Sequence, residues 1–295
     1  MTSIAVPEIA GPYVNIFKPR GDRYLGPATR NLTDGAFYDE WVPNDHTFIK
    51  APDGAWHAFG ITGPYAGIIH EAEFQSFHIK SPFPSLAASL VLESWTEEPK
   101  ILRPPDRPGE EPKLYAPCIV LKEDLYYLIY GPQDIRYAVS TDLYRWRPKG
   151  TLLRTEVYEN DPMILKVDDL YYLYMLHHPA GVSCRISTDL FHWSEKTVVY
   201  EHPFRECNCE SPFVVVRDGL FYLFWTIWDW DKSHGSYDHR THVLCSPDPK
   251  RFNARDLIAR LDAHAPEILR GEKGDWYISS AEWPSRGINL APLRW

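Results

Sequence analysis

The sequence predicts an all-β fold, a five-bladed β-propeller of four-stranded antiparallel blades, on three observations. A strand–turn–strand phrase recurs five times along the 295 residues. Apart from one interval of 71 residues, its copies lie 45–54 residues apart, close to the 40–50-residue period at which repeated all-β units form radial blades. The composition, 14% aromatic with 26 prolines, suits many short strands joined by tight turns better than helices.

Residues 1–40 read as an N-terminal arm and 41–295 as the propeller. The first, looser copy of the phrase is PNDHTFIKAPDGAWHAF at 43–59. The others are YAPCIVLKEDLYYLIY (115–130), NDPMILKVDDLYYLY (160–174), CESPFVVVRDGLFYLFW (209–225) and HAPEILRGEKGDWYI (264–278). Each is an apolar strand, a charged or glycine-containing turn and an aromatic-rich second strand. The stretch 95–112, with five prolines, reads as a surface excursion that lengthens the first unit. In the second and third units an alternating strand runs into Ser-Thr-Asp (140–142 and 187–189), which suits a tight turn, and a tryptophan then opens a fourth strand. The fifth unit ends after about three strands, at 287–295. An open edge invites aggregation, so a strand from elsewhere is needed, and PYVNIFK at 12–18 is the expected donor. The same arm offers a route to self-association.

Just before each first strand stands a residue that varies from unit to unit: Asp45, Ala116, Asp161, Glu210 and His264. The first strand of a blade lies nearest the axis, so these positions are expected to ring one mouth of the central funnel. The loops between second and third strands (62–66, 131–134, 177–182, 226–242 and 281–287) open at that mouth. They and their neighbours supply His46, Tyr115, His178, Trp228, Trp230, Trp283 and Arg286. Aromatic faces and polar tips of this kind suit sugar binding. Three acids at one mouth repel one another and lose solvent, which raises the pKa of at least one of them. A protonated acid beside an ionised carboxylate is what glycosidic cleavage requires. Asp124, Asp168, Asp169 and Asp218 fall instead in turns at the opposite mouth, and Glu267, which follows Pro266 inside a strand, can face the funnel but lies out of register with the other acids.

The net charge of −9 argues against nucleic acid, whose phosphates need a basic patch. No apolar run approaches the roughly 18 residues that span a bilayer, and no signal-peptide pattern opens the chain, so a cytoplasmic protein is expected. Five scattered cysteines do not form a disulfide framework, and Cys207-Asn208-Cys209 lacks the second pair that a zinc site needs.

These residues resemble the five-bladed glycosidases of glycoside hydrolase families 43 and 32. WVPNDHTFIKAPDGAWHAFG (41–60) is similar to the Trp-Met-Asn-Asp-Pro segment of family 32, ENDPMI (159–164) to its Arg-Asp-Pro segment, and CESPFVV (209–215) to Glu-Cys-Pro or Glu-Gly-Pro. The Ser-Thr-Asp-Leu…Trp turns look more like family 43. The resemblance implies Asp45 as base or nucleophile, Asp161 as modulator of the acid and stabiliser of the transition state, and Glu210 as general acid. It also implies His264 as the holder of an axial calcium ion or water, with no other cofactor. Asp45 is followed here by His-Thr, Asn160 stands in place of the arginine, and Ser211 separates Glu210 from Pro212, so a divergent branch is expected. The expected activity is exo-acting hydrolysis of a short oligosaccharide, with arabinofuranosides or fructofuranosides favoured. The alternatives are a non-catalytic carbohydrate-binding propeller and a transglycosylase or phosphorylase, the last needing clustered arginines such as Arg136, Arg240 and Arg286.

Overall fold

The structure, a computed structural model, describes residues 4–65, 75–81, 83–90, 95–102, 114–132, 134–155, 159–229 and 238–295. Four sheets of four consecutive antiparallel strands form blades one to four, and a fifth sheet closes the ring. Blade one comprises Trp41–Lys50, Trp56–Pro64, Gln75–Lys80 and Thr96–Glu98. Its outer strand therefore lies inside the proline-rich stretch that the sequence reading treats as an excursion. Blade two comprises Tyr115–Lys122, Leu125–Gly131, Ile135–Ser140 and Arg147–Leu153. Blade three comprises Met163–Val167, Leu170–His177, Gly181–Ser187 and Thr197–Glu201. Blade four comprises Asn208–Arg217, Leu220–Trp228, Arg240–Ser246 and Leu257–Asp262.

Blade five has three strands of its own, Ile268–Arg270, Trp276–Ala281 and Ile288–Arg294. Its outer edge is covered from the N-terminus. Glu8–Ile9 pairs with Arg294 and Leu293, and Val14–Phe17 pairs with residues 288–290 of the same strand. Ile16 and Phe17 are buried, and the Phe17 ring lies 4.8 Å from that of Phe77 in blade one. The arm thus spans the junction of the last blade with the first.

Alternation along each strand aims apolar residues at the neighbouring blade, and the core is accordingly five slabs, one per junction. Phe59, Ile61, Ile119 and Leu128 fill the slab between blades one and two. Cys118, Ile129, Ile164 and Leu173 follow between two and three, and Tyr174, Cys184, Leu223 and Trp225 between three and four. Phe224, Val243, Ile278 and Leu293 join four to five, and Phe48, Phe77, Tyr277 and Leu290 close the ring.

The repeated Ser-Thr-Asp turns explain themselves in hydrogen bonds. Ser140 Oγ accepts from the backbone N–H of Asp142 and Leu143, and Asp142 Oδ1 accepts from Tyr144 and Arg145. Ser187 and Asp189 repeat the pattern one blade on. The side chains satisfy backbone donors that the turn would otherwise leave unpaired. No helix among the described residues is long and apolar enough to cross a membrane.

Candidate active site

Each blade sends the start of its innermost strand to the axis. There, Asp45 and His46 of blade one meet residues 116–118, 161–163, 211–213 and 265–267 of the other four around one cavity. Ala116, Asp161, Ser211 and Ala265 each precede a proline and adopt a left-handed backbone, with φ of 40°, 56°, 48° and 46°. Non-glycine residues seldom occupy this region, and such strain gathers at functional sites. Its recurrence in four blades turns four short side chains toward the axis.

This alignment corrects the sequence register by one residue in two blades. The axial position of blade four is Ser211, not Glu210, and that of blade five is Ala265, not His264. Aligning the units on their shared proline (Ala-Pro, Asp-Pro, Ser-Pro, Ala-Pro) gives the observed register. Glu210 is half-buried one residue upstream, in a strand that is irregular between Glu210 and Phe213, and it pairs with Thr226. The Thr226 hydroxyl in turn accepts the Ala265 N–H at 3.0 Å, which ties blade four to blade five beside Glu210.

Asp45 and Asp161 do converge, through Ser211. The Ser211 hydroxyl donates to Asp45 Oδ1 at 2.8 Å, and its backbone N–H donates to Asp161 Oδ2 at 2.9 Å. All three residues are half-buried, so they face the open mouth. Beneath them the wall is formed by buried polar side chains. His46 Nε2 lies 2.7 Å from Ser279 Oγ and Nδ1 lies 3.1 Å from the Asn44 carbonyl oxygen. Burial holds the His46 ring down to about 4, against the opposing pull of that carbonyl. Glu267, also in the wall, accepts the Phe48 N–H at 2.8 Å. Burial pushes its carboxyl up to about 8, although the Phe48 and Thr47 hydrogen bonds oppose the rise. The Cys118 thiol is pushed up to about 12 by burial and by Glu267.

Around the rim, Trp283 stacks on His239 with ring centroids 3.7 Å apart. Arg286 pairs with Glu40 at 2.9 Å and lies over the Tyr65 ring, bridging blade five to the entry of blade one. Tyr115 and His178 are half-buried at the starts of blades two and the third-blade loop. Trp228 is buried, 6.2 Å from the His264 ring. Trp230 lies outside the described residues. Burial also raises Glu282, on the blade-five loop, to about 7, and its Oε1 accepts the Gly287 N–H at 2.7 Å. Ser211 is missed by the sequence register, whereas Glu267, expected to face the funnel out of register with the other acids, does line the cavity.

His264 does not present itself as a metal ligand. It is 2% exposed, its Nδ1 is hydrogen-bonded to the Asp238 carbonyl, and its Nε2 lies 3.1 Å from Asn44 Oδ1. Its blade offers Ala265, Pro266 and Glu267 to the cavity instead. Among the described residues no group of three His, Cys, Asp or Glu side chains is arranged to hold an ion. The three arginines are likewise engaged separately: Arg136 with the Gly131 carbonyl, Arg240 with Asp229 and Asp238, and Arg286 as above.

No family model and no curated protein matches the chain. Solved structures do match its fold. A family 43 glycoside hydrolase from Xanthomonas citri, determined with xylose, aligns with a TM-score of 0.64 at 17% identity, over 85% of this chain and 86% of the other. An exo-1,5-α-L-arabinanase from a bovine ruminal metagenomic library aligns at 0.63 and 17%, over 85% and 92%. A family 32 β-fructofuranosidase from Bombyx mori aligns at 0.63 and 19%, over 86% of this chain and 59% of that one. The chain shares the five-bladed fold of these structures, at 17–19% identity.

Proposed function

We propose that this protein is a glycoside hydrolase that cleaves by paired-carboxylate catalysis at the axial cavity. The observation that carries the reading is the Asp45–Ser211–Asp161 bridge, which brings acids of blades one and three to one open mouth. Glu210 adjoins that bridge from blade four. In this reading Glu210 protonates the leaving oxygen, Asp45 activates water or attacks the anomeric carbon, and Asp161 stabilises the positive charge that develops on the sugar. Tyr115, His178, Trp283 and Arg286 form the rim that receives the sugar, with Trp228 behind it. His46 supports Asp45 from beneath as a neutral ring.

The neighbouring enzymes include an exo-arabinanase and a fructofuranosidase, which supports an exo-acting enzyme on a furanoside. Separate engagement of the arginines does not favour a phosphorylase. The test is a panel of nitrophenyl arabinofuranoside, xyloside, galactoside and fructoside substrates, with the anomer of the first product followed by proton NMR. Hydrolysis of at least one furanoside is expected. Binding of short oligosaccharides with no turnover of any panel member would point to the non-catalytic propeller.

A further inference from the structure

We propose that Ser211 is a positioning residue that registers the two axial carboxylates, its hydroxyl fixing Asp45 and its backbone N–H fixing Asp161. The catalytic consequence rests on the reading of Asp45 given above. The structural claim does not.

Of the five equivalent axial positions, two carry carboxylates (Asp45 and Asp161) and two carry alanine (Ala116 and Ala265). Ser211 is the remaining one, and it alone brings a neutral hydrogen-bonding side chain. It stands between two carboxyl groups and donates to both. A donor shared in this way favours the ionised form of each acceptor and offsets their mutual repulsion. A glycine would adopt φ of 48° with less strain, but it would forfeit the contact with Asp45.

The other titratable groups in the cavity wall are engaged elsewhere. His46 is held between the Ser279 hydroxyl and the Asn44 carbonyl, Glu267 Oε2 accepts the Phe48 N–H, and Cys118 Sγ accepts the Ile164 N–H. Glu210 adjoins Ser211 on the same strand. Asp161 is the carboxylate that the same serine engages through its N–H, and the serine hydroxyl lies against Asp45 itself. Asp45 and Ser211 are 166 residues apart, so the contact also locks blade one to blade four across the axis.

The test is a carbon-13 NMR titration of the aspartate carboxyls in the full-length protein, with Asp45 and Asp161 assigned through Asp45→Asn and Asp161→Asn. Ser211→Ala keeps the N–H and Cβ and removes only the hydroxyl. Ser211→Gly removes both side-chain atoms and relaxes the backbone, so it serves if the alanine variant folds poorly. In either variant the Asp45 midpoint is expected to rise by about 0.5–1 pH unit, more than that of Asp161. An unchanged Asp45 midpoint overturns the proposal.

Kinetics separate this from the catalytic reading. Asp45 must be ionised to act, so a raised midpoint moves the acid limb of kcat/KM upward by the same interval, whereas general damage lowers the profile without moving its limb. An NMR shift with no kinetic shift supports the role of Ser211 and counts against Asp45 as the catalytic group. No NMR shift, with turnover still lost in Asp45→Asn, removes Ser211 and leaves the hydrolase.

Discussion

Replacing Glu267 by glutamine is expected to stabilise the protein, by an amount that grows with pH. Glu267 is fully buried in the cavity wall, and its carboxyl is raised from an ordinary 4.5 to about 8, chiefly by burial. Below pH 4.5 the side chain is protonated in both folded and unfolded chains and favours neither. As pH rises, the unfolded chain releases its proton while the folded one keeps it, so stability is lost until about pH 8, where the folded group ionises too. Each pH unit in that window is worth about 1.4 kcal/mol. The folded state therefore forgoes about 3 kcal/mol by pH 7 and about 5 kcal/mol on the plateau above pH 8. Glutamine has the shape of the protonated acid and can still accept the Phe48 N–H, so it escapes the loss. Urea unfolding of both proteins at pH 4.5, 6, 7 and 8.5, followed by tryptophan fluorescence, reads the difference. His46, His57 and His78 are each held low by burial and remove stability as pH falls through the range from 6.5 toward 4. They titrate in both proteins and cancel in the comparison. A wild-type-to-variant difference that is flat with pH, or largest in acid, would refute the assignment of Glu267 as a buried neutral acid.

Two further changes probe the frame that carries the site. Phe17→Ala should cost about 3–5 kcal/mol in urea unfolding, because it empties the contact with Phe77 at the ring junction, and a loss below about 1 kcal/mol would mean that the arm does not clasp the ring. Gly60→Ala should cost about 1–3 kcal/mol and lower turnover together, since its new Cβ would fall 2.3 Å from the Phe77 ring and 2.7 Å from the Asp45 carbonyl oxygen. Unchanged stability and activity in that variant would show that the blade-one strand yields without moving Asp45.

The blades were legible because each repeats its own local chemistry. Aromatic-rich second strands, the Ser-Thr-Asp turns and the three-strand remnant at the C-terminus all mark strand order without any long-range information. Thr96–Glu98 was not legible, since a three-residue edge strand beside prolines carries no alternation to read. The axial acids of blades one and three were found from their position ahead of a strand. In the fourth and fifth blades the axial residue is the one next to the proline, which fixes the backbone, and not the glutamate or histidine one position earlier. Glu267 could be read as facing the funnel, but its raised pKa follows from burial beside Phe48 and Thr47, far away in sequence. The Ser211 bridge is of the same kind: partners 50 and 166 residues away meet only when the ring closes.

The catalytic assignment is tested most directly by steady-state turnover of Asp45→Asn and Glu210→Gln on the best substrate of the panel, with thermal unfolding measured on the same samples. Each variant is expected to lose kcat by several orders of magnitude while unfolding close to the wild-type temperature. Near-normal turnover in either folded variant would contradict the assignment of that carboxylate, and near-normal turnover in both would remove the axial cavity as the seat of the chemistry.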